Sequence, residues 1–353
     1  AAKKSIVLLK NNNQLLPLEK DGEKIALIGP LVDDKNSPLG NWRSQAVYNS
    51  ATSVLEGMNK YKGNRTIFEK GVELYYGKTN FHNRVKLNYN DRSEFGKAKL
   101  AAATSDVVVM VMGEEGNQSG EGRSRTNIGL PGLQLELLKE IYKINQNIVL
   151  VVMSGRPLDL SWADKNIPSI LQAWHLGSKS GDAIAQVLYG DYNPSGKLTM
   201  SFPRNVGQVP IYYNFKNTGR PSTSIEQVTN SGYADVENSP LYSFGHGLSY
   251  TSFSYSNLSI DKNNMNKNSF VKASIELKNT GSRVGKEVVQ LYLRDIVGSI
   301  ARPMKELKGF KLIELNPGES TTVEFEIDNS LLEFYTYNKK WESEPGKFHL
   351  FIG

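Results

Sequence analysis

Two unbroken apolar runs, residues 107–112 (VVVMVM) and 148–153 within the segment 147–153 (NIVLVVM), constrain this chain more than anything else in it. Neither alternates with polar residues, and each is about as long as one strand. Such runs suit strands covered on both faces, as in a parallel sheet with helices on either side. Residues 24–30 (KIALIGP), 66–72 and 167–174 supply further strands. Between them the period becomes three and four: Leu130, Leu133, Leu137, Ile141 and Ile144 fall on one helical face. Residues 53–60, 94–103 and 182–189 also read as helices, and 5–10 (SIVLLK) as a short one at the start. Strands alternating with helices predict an α/β three-layer sandwich around a mostly parallel sheet.

Past Phe253 the period becomes two. Val271, Ala273, Ile275 and Leu277 alternate with Lys272, Ser274, Glu276 and Lys278, and residues 321–328 and 348–352 repeat the pattern. Asn279-Thr280-Gly281, Asn316-Pro317-Gly318 and Glu344-Pro345-Gly346 punctuate the runs. Short alternating strands over roughly 100 residues indicate an all-β sandwich. With no cysteine in the chain, a fibronectin type III-like sandwich fits better than a disulfide-bonded immunoglobulin domain. Trp341 is expected to be structural there. Residues 213–240 carry no periodic apolar run. The expected organisation is therefore an α/β domain over 1–212, a connecting segment over 213–250 and the β-sandwich over 251–353.

At 353 residues, two domains of about 150 each are expected. The net charge of +6 is spread among interleaved acids and bases, which argues against nucleic acid as a partner. No apolar stretch approaches the ~20 residues of a membrane span. Residues 190–197 (GDYNPSGK) fail as a phosphate loop: five residues separate the glycines, and Leu198 stands where a magnesium-binding hydroxyl belongs. No glycine-rich dinucleotide fingerprint follows a strand. His82, His175, His246 and His349 are scattered without ligand spacing. No metal and no cofactor is expected.

The chemistry-bearing stretch lies between the run at 107–112 and the helix after Pro131. It holds Glu114, Glu115, Glu121, Arg123 and Arg125. In open α/β sheets, ligands bind beyond the carboxyl ends of the strands, and this loop leaves such an end. Hydrolysis of a glycosidic bond needs two carboxyl groups, one of which protonates the departing oxygen. Glu121, between Gly120 and Gly122, is placed to be carried outward, whereas Glu114 directly follows the strand. A solvated surface loop is the competing reading. Trp42, beside Gly40 and Asn41, suits either stacking on a sugar ring or capping the core. Trp174 and His175 read as packing residues. Acceptor sequences for N-glycans occur at Asn64, Asn117 and Asn257, and a glycan at Asn117 would crowd the loop, which favours a bacterial chain.

Several motifs stand in one order. They are Ser5-Ile6-Val7-Leu8-Leu9-Lys10-Asn11 with Leu15-Leu16-Pro17-Leu18, then Ser119-Gly120-Glu121 with Ser124-Arg125-Thr126 and Leu130-Pro131. Asn193-Pro194-Ser195-Gly196-Lys197-Leu198, Asn217-Thr218-Gly219-Arg220-Pro221 and Phe244-Gly245-His246-Gly247-Leu248-Ser249-Tyr250 follow. Val288-Val289-Gln290-Leu291-Tyr292 and Arg302-Pro303-Met304-Lys305-Glu306-Leu307-Lys308-Gly309-Phe310 close the series. Along its whole length the chain resembles the C-terminal half of a family 3 glycoside hydrolase of the bacterial periplasmic β-glucosidase type. The resemblance implies a six-stranded α/β sandwich that supplies an acid/base glutamate to a retaining β-glycosidase, and a fibronectin-like domain after it. It places the acid/base role on Glu121, with Glu114 and Arg125 as candidates for loop orientation or sugar contacts; Glu114 and Glu115 remain rivals to Glu121. It also implies an aspartate nucleophile on an N-terminal (β/α)8 barrel that nothing in this sequence matches. The chain therefore reads as part of a longer protein, inactive alone, acting on an oligosaccharide or glycoside, and periplasmic or secreted. A homodimer stays open, as do a barrel on a separate polypeptide and a non-catalytic glycan- or protein-binding module.

Overall fold

The computed structural model describes residues 1–221, 226 and 228–353. The part of the expected connecting segment at 222–225 and 227 lies outside the described residues. The chain forms two compact units. The first joins Ala1–Val209 with Pro240–Tyr250, and the second joins Pro210–Ser239 with Thr251–Gly353. The stretch expected as a connection is thus shared between them. Phe202 bridges to Tyr242 within the first, and Lys216 to Pro303 within the second.

The first unit contains strands β1 (Val7–Asn11), β2 (Asp21–Ile28), β3 (Gly63–Glu69), β4 (Val107–Gly113), β5 (Ile148–Met153) and β6 (Ser169–Gln172). Its helices are α1 (Ala2–Ser5), α2 (Val54–Met58), α3 (Phe95–Ala103), α4 (Gln134–Tyr142), α5 (Ser161–Asn166) and α6 (Ser180–Leu188). One six-stranded sheet runs in the order β1-β6-β5-β4-β2-β3. Every neighbouring pair is parallel except β1 with β6.

The apolar runs are continuous because both faces of the sheet are covered. Val108, Met110 and Met112 of β4 pack with α3 and α4, while Val107, Val109 and Val111 pack with α2 and α6. Each such fully buried side chain contributes about 1.5–3 kcal/mol relative to leaving it in water. The helix expected over 5–10 is corrected. Helix α1 ends at Ser5, and Val7 and Leu8 pair antiparallel with Gln172 and Leu171. A four-residue apolar run, Ile6–Leu9, carries no period to separate the two states; pairing with a strand about 160 residues away decides it. Helix α5 was not expected from the sequence pattern.

The strand order places the switch point of the sheet between β2 and β4. From β2 the chain moves outward to β3; from β4 it moves the opposite way to β5. Loops that leave adjacent strands in opposite directions open a crevice at their carboxyl ends. The two loops here are residues 29–53, which contain Trp42, and residues 114–133, which contain Glu121.

The second unit is an antiparallel sandwich. Its strands are β7 (Phe253–Ile260), β8 (Val271–Asn279), β9 (Gly285–Asp295), β10 (Glu306–Leu315), β11 (Ser320–Ile327), β12 (Phe334–Tyr335), β13 (Trp341–Glu342) and β14 (Phe348–Ile352). One sheet orders β10-β9-β14 and the other β11-β8-β7. Ala273, Ile275, Leu277, Val289, Leu291, Leu293, Val323 and Phe325 fill the core between them. Trp341 lies outside that core: it is exposed on the β12–β13 hairpin, against Tyr335. Among the described residues, no helix is long and apolar enough to cross a membrane.

Candidate functional site

The loop after β4 is clamped at its root. Gln134, fully buried at the start of α4, accepts from the Gly113 amide at 2.9 Å and donates to the Gly113 carbonyl at 2.8 Å and the Pro131 carbonyl at 2.9 Å. Glu114 follows, with 0 % exposure. Arg125 Nη1 donates to its Oε1 at 2.6 Å, and Arg156 Nε lies 3.0 Å from the same oxygen. The Glu114 side chain is thus fully buried and paired with two arginines. Arg125 also reaches the Gly129 carbonyl at 3.1 Å, which spends most of its guanidinium inside the loop.

Glu115 is buried as well and caps the short turn Gly116–Gln118. Its side chain accepts from the Asn117 amide at 2.7 Å, from Asn117 Nδ2 at 2.9 Å and from Thr79 Oγ1 at 2.9 Å. Burial pushes its carboxyl up, against the pull of these donors and of Arg43. Asn117 is 3 % exposed and its amide is spent on Glu115, so the folded chain offers no glycan acceptor there.

Glu121 differs from both. It is exposed in a turn closed by the Arg123 amide donating to the Gly120 carbonyl at 3.2 Å. Gly122 has φ +68° at the third turn position, where a positive φ favours glycine. Gly120 has φ +104°, and a β-carbon there would stand 2.3 Å from Asn41 Nδ2. Only glycine lets the turn approach the β2 loop so closely. Among the described residues, none forms a hydrogen bond or ion pair with the Glu121 carboxylate.

Arg156 is a site residue that sequence reasoning missed. It leaves the end of β5 in Ser154-Gly155-Arg156-Pro157. Its Nη2 donates to the Gln118 carbonyl at 2.5 Å and the Arg123 carbonyl at 2.8 Å, on either side of Glu121. An arginine at the exit of a neighbouring parallel strand was the available signal. Gln134 and Phe81 were missed likewise, because nothing local marks them.

Trp42 is 70 % exposed, so it does not cap the core. Its ring lies 6.2 Å from that of Phe81, and Arg123 sits over Phe81 at 5.8 Å. Asn41, Trp42, Arg43, Phe81, His82 and Asn117 line a cavity of about 540 Å³ at this rim. Both amide atoms of Asn41 are buried there without a partner. His175, behind the rim, donates Nδ1–H to the Ser37 carbonyl at 2.6 Å, and burial pulls its pKa down. Trp174 packs against Phe202 at 6.0 Å. The acids of the β2 loop serve its own folding: Asp34 accepts from Ser37 Oγ at 2.5 Å, and Asp33 from Ser53 Oγ at 2.8 Å. Among the described residues, no group of three or more His, Cys, Asp or Glu could hold a metal.

The fold is a parallel sheet covered on both faces, with the unpaired Glu121 carboxylate near its switch point and Glu114 and Glu115 of the same loop buried. The comparisons name the family. The Glycosyl hydrolase family 3 C-terminal domain matches residues 6–250, and the Fibronectin type III-like domain matches 287–353. The chain belongs to glycosyl hydrolase family 3. It is 42 % identical over 362 residues to the periplasmic beta-glucosidase of Salmonella typhimurium, covering 100 % of this chain and 47 % of that protein. It is 38 % identical over 361 residues to a beta-xylosidase of Formosa agariphila, with 100 % and 47 % covered. The beta-glucosidase of Listeria innocua in complex with isofagomine superposes with a TM-score of 0.91 at 34 % identity, over 100 % of this chain and 47 % of that one. The chain spans about half the length of the curated relatives it matches.

Proposed function

We propose that this chain is the acid/base portion of a retaining β-glycosidase, with Glu121 as the general acid and base. The supporting observation is the contrast among three glutamates on one loop. Glu114 and Glu115 are buried and bonded, whereas Glu121 stands exposed on a glycine-flanked turn. In the first half-reaction the Glu121 carboxyl donates its proton to the glycosidic oxygen as the bond to the anomeric carbon breaks. In the second, its carboxylate takes a proton from the attacking water. The partner nucleophile, an aspartate on a (β/α)8 barrel, comes from outside this chain. Covering the turn with that barrel and a substrate would raise the Glu121 pKa by desolvation, as a general acid requires. Trp42, solvent-facing on the opposing loop, is the sugar-stacking candidate.

The substrate is a terminal β-linked sugar of an oligosaccharide or glycoside, with glucose first in view of the relatives and xylose next. The location is the periplasm, in keeping with the Salmonella relative. The test is Glu121→Gln in the intact enzyme, assayed on aryl β-glucosides of graded leaving-group pKa. Loss of about 10²–10⁴-fold on poor leaving groups, far less on activated ones, and rescue by azide are expected. Unchanged kinetics would reject the assignment. This chain without a barrel should turn over none of them.

A non-catalytic glycan-binding module is the second reading, prompted by exposed Tyr335, Tyr337 and Trp341 on one hairpin. The rings of Tyr335 and Trp341 are tilted by 63°, so the pair forms no flat platform for one sugar.

A further inference from the structure

We infer that Arg156 is a positioning residue for the acid/base turn, acting as a neck that fixes where Glu121 stands. The inference rests on the Glu121 reading above. Arg156 projects from the exit of β5, the strand next to β4 in the sheet, and so from rigid scaffold rather than from the loop itself. Its guanidinium serves three points. Nε lies 3.0 Å from buried Glu114, and Nη2 donates to the carbonyls of Gln118 and Arg123 at 2.5 and 2.8 Å. Those carbonyls precede and follow the segment Ser119, Gly120, Glu121 and Gly122. One nitrogen therefore draws both ends of the turn together and ties them to the end of β5.

Above the neck, Ser119 lies close against Gly155 and Gly120 against Asn41, while the tip at Glu121 and Gly122 has no such backing. A β-carbon at Gly122 would meet nothing within 4 Å, and across the turn runs the 3.2 Å bond from Arg123 to Gly120. The fork of arginine suits this task, whereas a lysine ammonium would keep the charge beside Glu114 yet could not span a carboxylate and two carbonyls. With the neck loosened, Glu121 should stay attached and ionisable but lose its register with the glycosidic oxygen. A misplacement of about 1 Å costs roughly 10²-fold in rate.

The experiment is Arg156→Lys in the intact enzyme, assayed on aryl β-glucosides of graded leaving-group pKa, beside Glu121→Gln and with thermal unfolding recorded. The expected result is a loss of roughly 10²-fold in kcat/KM on poor leaving groups and less than about threefold on a dinitrophenyl glucoside, which needs little protonation. Arg156→Ala with free guanidinium added should regain activity on the poor leaving groups, which serves if the lysine variant does not fold. An equal loss across all leaving groups would reduce Arg156 to a structural residue and overturn the inference, as would no loss at all. If Glu121→Gln shows leaving-group dependence and Arg156→Lys does not, the neck alone is wrong. If Glu121→Gln shows none, the acid assignment fails and takes this inference with it.

Discussion

Glu114 and Arg125 stand eleven residues apart in the chain and 2.6 Å apart in space, with the carboxylate wholly shielded from water. That ion pair folds the loop after β4 back onto its own root. Arg156 then joins the pair from the neighbouring strand. The result is one buried anion held between two cations, with a free acid lifted above it. A carboxylate this deeply buried costs several kcal/mol to desolvate, so its partners must remain in place.

Replacing Glu114 with Gln leaves two arginines facing a neutral amide in a dry site. Removing one partner of a buried ion pair typically destabilises by about 3–5 kcal/mol. Urea unfolding of this chain should show a loss of that order at unchanged m-value. A change under about 1 kcal/mol would mean that water already reaches the site.

Gly120 and Gly122 flank the same acid but should respond differently to alanine. At Gly120 the new methyl would collide with Asn41, whereas at Gly122 only the positive φ opposes it. Gly122→Ala should cost about 1 kcal/mol of strain and little activity in the intact enzyme. Gly120→Ala should displace the turn and cost ten- to a hundredfold in kcat, as a misplaced catalytic group does. Equal effects on kcat would show that the close approach to Asn41 is not what places Glu121.

Trp42→Ala should leave the thermal midpoint of this chain nearly unchanged, because an exposed side chain away from special features is worth within about 0.5 kcal/mol. In the intact enzyme it should raise KM, with a ring-stacking loss of about 0.5–1.5 kcal/mol. A large drop in stability with normal KM would contradict the stacking role.

His175 provides the pH test. Burial holds its folded pKa below the ordinary 6.5, so the unfolded chain binds more protons in the interval between the two. Its contribution to stability is therefore complete above 6.5 and shrinks as the pH falls through that value toward the folded pKa. His246 is shifted the same way by burial and adds to the slope. His175→Asn can still donate to the Ser37 carbonyl but does not titrate. The fall in unfolding free energy between about pH 7.5 and pH 5 should be shallower in that variant. An unchanged slope would place the imidazole in water.

The central strands and most of the helices were legible because burial on two faces and burial on one face leave different periods. The runs that became β4 and β5 needed no partner to be recognised, and neither did the period of two in the sandwich. The run that became β1 was not legible. Four apolar residues in a row are compatible with helix or strand, and the choice lay with Gln172 and Leu171. At the site, the sequence pointed to the loop and to Glu121 through its two glycines and the ordered family motifs. It left Glu114, Arg125 and Trp42 with double roles. Burial and pairing distinguish the surroundings of these side chains, and neither is a local property.

The residue order alone determined two kinds of layer, their sequence along the chain, and a glycine-hinged acid at the end of a buried strand. It could do so because solvent exposure imprints a period on each element. The tertiary structure alone decided that β2 and β4 lie side by side at the switch point, that Glu114 is consumed by two arginines, and that Arg156 gathers the two ends of the turn. Those outcomes depend on distances between residues far apart in sequence, and such distances exist only once the strands have found their neighbours.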